Sequence, residues 1–201
     1  MKGEKFEENN VVYTTDGNIL TEIQVYDEDV KAITIPKFTP AGKAIKQIGI
    51  DGTPVIGYSE AINFDLFIPD TVEYIAIAAF KYDENVKRVI IPNSVKKIGA
   101  HAFRSSDIEE INWPDFCDTV PSGCLMCTEC LKKFKGGKNL KYIHPLAFTA
   151  SFVKEIDLSE TCVEDIPALY VYFSDVKVIP PYYFSGVIAT EGNYSSGFIE
   201  D

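Results

Sequence analysis

Apolar residues recur along this chain at two alternating spacings. Between 86 and 103 they fall at Val86, Val89, Ile91, Pro92, Val95, Ile98, Ala102 and Phe103. Val89 and Ile91, with Ile90 between them, follow the period of a strand, and Pro92 ends the run where a ladder amide is no longer needed. The later three- and four-residue steps place Val95, Ile98, Ala102 and Phe103 on one face of a short helical turn. One strand and one helical turn are therefore expected from each such unit.

The unit repeats. IPDTVEYIAIAAF at 68–80 aligns without gaps on IPNSVKKIGAHAF at 91–103, an offset of 23 residues. The next copy runs Ile108, Ile111, Trp113, Pro114, Cys117, Val120, Cys124, Leu125, and the one after it Leu131, Phe134, Gly136, Gly137, Leu140, Ile143, Ala147, Phe148. The aromatic position falls at Phe80, Phe103, Leu125, Phe148 and Val171, in steps of 23, 22, 23 and 23. Looser copies open at Val30, with an insertion in its second half, at Asn63 and at Val153, and a truncated echo runs through Val176, Ile179, Tyr183 and Phe184.

Units of this length cannot bury their apolar face alone and must stack. The expected fold is a single α/β solenoid over 1–201, with a parallel sheet on one wall and short helical turns on the other. VVYTTDGNILTEIQVY has two extended runs around Asp16 and Gly17, the signature of a hairpin, so residues 1–29 are expected to form an N-terminal β-hairpin cap. About six repeats of 22–23 residues fill 30–184, and 185–201 form a C-terminal cap or tail.

With the repeat written out, IPNSVKKIGAHAF resembles the treponemal-type leucine-rich repeat, the unit of BspA-like surface proteins of bacteria and of some protozoan parasites. The match covers about residues 30 to 184 and is most specific in the two central copies. The resemblance implies a right-handed superhelix with the parallel sheet on its concave face and the turns on its convex face. It also implies adhesion to host proteins, extracellular matrix among them, or to other cells. No catalytic residues are implied, and display on the cell surface or secretion follows from the resemblance alone.

Thirty acidic against nineteen basic residues leave a formal net charge of −11. That balance opposes a phosphate backbone, so nucleic acid is not an expected partner. No stretch approaches the roughly 20 apolar residues that span a bilayer, and the start MKGEKFEENN has no apolar signal-peptide core. A monomer without membrane insertion is expected. Five cysteines cannot all pair within the chain.

Cys117, Cys124, Cys127 and Cys130 are spaced C-x6-C-x2-C-x2-C, and four thiolates can hold zinc. The repeat register argues against it, because Cys117 fills the valine slot and Cys124 the alanine slot, where both point into the core as small hydrophobes. Cys127 and Cys130 lack the strand and helix that frame a thioredoxin-like pair. His101 and His144 lie in the stretch before the aromatic position and read as partly exposed turn residues, with no G-x-S-x-G nearby. Gly136 and Gly137 lack the Walker spacing and take the place of Ile-Pro in the repeat. The chain is expected to be no enzyme, with no metal and no cofactor.

Candidate ligand contacts come from the outward strand positions, which alternate with the buried ones. The first outward row is Ala32, Asp65, Arg88, Glu110, Lys133 and Glu155; the second is Thr34, Phe67, Ile90, Asn112, Lys135 and Asp157. From Asp65 the first row alternates in sign, suited to pairing between neighbours. In the second, Phe67 and Ile90 form an adjacent apolar pair facing outward. Phe67, Ile90, Arg88, Glu110, Asn112, Lys133 and Lys135 are the expected contacts for a protein or glycan. The alternative role is a structural spacer or assembly segment of a larger surface protein, or an intracellular scaffold.

Overall fold

The computed structural model describes residues 3–166, 169–171, 176–184 and 190–192. Seven strands form one wholly parallel sheet: Ala32–Thr34, Phe64–Phe67, Val86–Ile90, Glu110–Asn112, Lys133–Lys135, Glu155–Asp157 and Lys177–Ile179, in that spatial order. Each repeat contributes one strand, so the sheet order is the chain order. Ile33, Leu66, Val89, Ile111, Phe134 and Ile156 point inward and are buried, which the two-residue period of a strand dictates. After each strand the chain turns at Pro69, Pro92, Pro114 or Gly137, whose carbonyls accept the amides of Val72, Val95, Cys117 and Leu140 three residues later.

The opposite wall corrects the expected helical turns, since no helix occurs among the described residues. Two-residue strands stand there instead: Gln47–Ile48, Tyr74–Ile75 and Lys97–Ile98 pair in parallel, and Thr119–Val120 pairs with Tyr142–Ile143. A helix would send each amide to a carbonyl four residues back along the same turn. Here alternate amides reach the next coil: Ala78, Phe80 and Tyr82 donate to the carbonyls of Ala100, Ala102 and Arg104. The pattern recurs one coil on, from His101, Phe103 and Ser105 to Ser122, Cys124 and Met126.

Left-handed residues make this turn. Ala78, His101 and Gly123 have φ near +60°, as do Tyr82, Ser105, Cys127 and Ala150, so the reversals recur with the repeat. Two such residues in each of three coils, and one in the fourth, cannot belong to a helix. The apolar spacing survives because Ile75, Ala79 and Phe80, and their counterparts, still face inward. Phe80 and Phe103 stack with ring centroids 5.3 Å apart, and Phe134 packs edge-on against Phe148 at 5.1 Å. One continuous apolar core runs between the walls from Val11 to Ile166.

At the N-terminal end, Glu4–Glu8, Val11–Asp16 and Ile19–Val25 form an antiparallel meander. Asn9 and Asn10, both at positive φ, make the first two-residue turn, and Gly17 at φ +65° serves the second. The hairpin around Asp16 and Gly17 is thus present, with a third strand in front of it. The Ile19–Val25 strand continues the second wall by pairing in parallel with Gln47–Ile48 and with Ile56–Ser59. That last strand also belongs to the first repeat. Thr190–Gly192 pairs in parallel with Leu169–Val171; the rest of the expected cap or tail at 185–201 lies outside the described residues.

Candidate functional site

All seven expected contact residues lie on the outer face of the long sheet, in the two expected rows. In one row Asp65 is level with Arg88, Arg88 with Glu110, Glu110 with Lys133 and Lys133 with Glu155. In the other, Phe67 is level with Ile90 and Asn112 with Lys135. The register is fixed by burial of the alternate residues, because a slip of one would turn Val89 and Ile111 outward.

Most charges of the first row are held by a neighbour. Arg88 grips Asp65 with two nitrogens, Nε to Oδ1 at 2.9 Å and Nη2 to Oδ2. That pairing raises the guanidinium pKa further above its ordinary value. Lys133 and Lys177 both reach Glu155, at 3.0 Å each, and their hydrogen bonds hold its carboxyl below the usual range. Such exposed pairs contribute little stability singly and mainly set the spacing of the ladder. Among the described residues, Glu110 has no ion-pair partner and the Asn112 amide no side-chain partner.

Phe67 and Ile90 are 38% and 40% exposed, large for apolar residues in the middle of a sheet. They floor a depression of about 270 Å³ whose rim is Asp65, Arg88, Glu110 and Asn112. Ile91 completes the floor. A second hollow of about 300 Å³ shares Ile91 and Asn112 with the first and continues past Asn93, Trp113, Pro114, Lys135, Gly136 and Gly137. The two make one groove crossing four strands.

Of the far half of the groove, the row pattern singles out Asn112 and Lys135 alone. Gly136 and Gly137 stand where the four coils before them carry Ile-Pro or Trp-Pro. A Cβ on Gly137 would lie 2.5 Å from the carbonyl oxygen of Pro114, and one on Gly136 would meet Thr161 at 2.5 Å. Gly137 therefore lets this coil close against the Trp113–Pro114 backbone of the coil before it, and Gly136 lets Thr161 of the coil after it approach. Trp113 itself is buried and packs on Phe134 at 5.8 Å. Asn93 and Asp115 hold the groove's floor to its neighbours by side-chain bonds in both directions, and Asp115 also accepts the Lys138 amide.

Cys117 and Cys124 are buried in the core, where loss of solvation pushes both thiols up. Cys127 and Cys130 are half-buried and Cys162 is exposed, all as free thiols. Among the described residues, no group of three or more His, Cys, Asp or Glu is placed to hold a metal ion. His101 and His144 are half-buried in the turns of the second wall. The His101 ring lies across Gly123, whose missing side chain makes room for it, and burial lowers its pKa.

A stack of coils, most of them 22 or 23 residues long, each adding one strand to a parallel sheet and inward apolar side chains to a shared core, is by class a leucine-rich-repeat solenoid. More narrowly, the chain belongs to the BspA-type leucine-rich-repeat family, whose model matches residues 58–186 as six copies.

Among solved structures, the chain is similar to a leucine-rich cell surface protein from Faecalibacterium prausnitzii A2-165, at 19% identity and a TM-score of 0.47. The match covers 83% of this chain and 56% of that one. The chain thus spans little more than half the length of that protein. It is also similar to a leucine-rich repeat protein from Bacteroides ovatus ATCC 8483, at 18% identity and a TM-score of 0.33, over 92% of this chain and 67% of the other. The pneumococcal vaccine antigen PcpA matches at 17% identity and a TM-score of 0.23, over 85% and 78%. A comparison with curated proteins finds no match.

Proposed function

We propose that this chain is a noncatalytic binding module, displayed at the cell surface, that docks a protein or glycan on the outer face of its long sheet. One observation carries the reading: Phe67 and Ile90 sit side by side in register, facing outward over a hollow rimmed by charged and amide side chains. Contiguous exposed apolar residues ringed by polar ones are a common mark of an interaction surface. The family supplies the setting, since BspA-like proteins are surface proteins. A shallow site of this size binds modestly in a single copy and gains strength when several act together.

The test is a binding screen of the purified chain against extracellular-matrix proteins and mucin glycans, beside a Phe67→Asp, Ile90→Asp double variant shown to be folded by circular dichroism. The reading predicts a ligand that the parent chain retains and the variant loses. A ligand held equally by both would place the site on another surface and overturn it.

A further inference from the structure

Resting on that reading, we infer that the partner is a polypeptide segment in extended conformation, presenting an apolar side chain and, two residues away, an arginine or lysine. The inference starts from the unequal state of the charges along the ladder. Arg88 is committed to Asp65, and Lys133 to Glu155. Glu110 stands between Arg88 and Lys133 in register, yet neither cation turns to it. Among the described residues its carboxylate is left without an ion pair, at the edge of the apolar hollow that holds Phe67, Ile90 and Ile91. Asn112, two residues along the same strand and on the same face, offers an amide oxygen that no described side chain takes up.

Spacing turns this composition into a motif. Ile90 and Asn112 lie on neighbouring strands, and adjacent strands stand about 4.8 Å apart. Glu110 and Asn112, two residues apart on one strand, are separated by roughly 6.6 Å. Ile90 and Glu110 therefore stand roughly 8 Å apart on the diagonal, and Phe67 and Glu110 roughly 12 Å. The first gap is a little more than the roughly 6.6 Å between side chains i and i+2 on one face of an extended peptide, and the length of an arginine or lysine side chain spans the difference. Arginine fits best, because its planar fork can give two N–H groups to the carboxylate and a third to the Asn112 oxygen. A neutral glycan offers no cation for Glu110 and no large apolar group for the floor. The net charge of −11 favours a basic segment at longer range as well.

The experiment is selection of random peptides displayed on phage against the full chain, followed by anisotropy titration of the selected peptides in labelled form. Enrichment of apolar-x-Arg or apolar-x-Lys is expected. Glu110→Gln should weaken these peptides about tenfold and flatten the dependence of affinity on salt between low and physiological ionic strength, with the fold unchanged. Selected peptides without a basic residue, unaffected by Glu110→Gln but lost in the Phe67→Asp, Ile90→Asp variant, would overturn this inference and leave the proposed site standing. Recovery of no peptide, with binding only to glycans, would overturn it as well. Peptides held equally by all three proteins would remove both readings together.

Discussion

Phe103 is fully buried, stacked flat on Phe80 and set in the template beside buried Ile98. Core aromatics of this kind lose both transfer energy and packing when truncated. Phe103→Ala is expected to cost about 3 to 5 kcal/mol and Ile98→Ala about 2 to 5 kcal/mol, read from urea midpoints. An unchanged midpoint in either would mean that the residue is not in the core. Asp83 is the less ordinary residue. It occupies the place that Ser106, Thr128 and Ser151 fill in later coils, all buried. There Ser106 and Thr128 donate to the carbonyls of Phe103 and Leu125, and Thr128 meets Ser151 at 2.7 Å. Asp83 instead accepts the Asn85 and Val86 amides on Oδ1, while Oδ2 is buried without a partner. Burial raises its pKa to about 6, against the weaker pull of those amides. Because the folded value lies above the unfolded one, the unfolded chain ionises first. Asp83 therefore leaves stability intact below about pH 4 and withdraws it as pH rises to about 6 and beyond. The loss is on the order of 2 to 3 kcal/mol. Asp83→Asn should be more stable than the parent at pH 7 and indistinguishable at pH 4 in paired denaturation curves; the same difference at both would rule out ionisation as the cause.

At the scale of the element, the turn wall separates what the sequence tells from what it hides. Ala78 has φ +60° and is followed by Ala79, also buried but outside the left-handed region. A glycine at 79 should cost about 1 to 2 kcal/mol in lost methyl burial and added chain freedom. A glycine at 78 sheds a left-handed strain of similar size and should be neutral or stabilising. In a helix both changes would be equal losses, so two thermal midpoints distinguish the wall types. The strands were legible because an alternating pattern repeated every 22 or 23 residues admits one register, and the level pairs Asp65 with Arg88 and Lys133 with Glu155 follow from counting alone. The turns were not. Their V-x-x-I-x-x-x-A-F spacing suits a helical face and this left-handed path equally, since both turn the same residues inward. Of these three places, Gly123 alone marks the reversal by its residue type; Ala78 and His101 carry no such sign. The near half of the candidate groove was legible for the same reason as the strands. Its far half depends on how closely the Gly136–Gly137 coil approaches Trp113 and Pro114, a distance that no spacing encodes.

For the molecule as a whole, each coil touches its neighbours, and the ends decide whether the stack stays soluble. The N-terminal meander is built into the core: Val11, Tyr13, Leu20, Ile23 and Val25 are buried, and the Tyr13 hydroxyl reaches the Thr34 carbonyl. On its far side lie Ile33, Ile35, Ile45, Ile48 and Val55, all buried as well. Removing residues 1–29 would uncover those side chains together with the open pairing edges of Gln47–Ile48 and Ile56–Ser59, which the Ile19–Val25 strand now occupies. An uncovered apolar end with free strand edges pairs with whatever edge it meets. The truncated chain is therefore expected to associate or unfold, and the parent chain to run as a single copy, in size-exclusion chromatography with light scattering. Its remaining folded fraction should melt well below the parent. A monomeric truncation with the parent's midpoint would show that the repeats close their own end, and that the meander is an addition to the solenoid and not its cap.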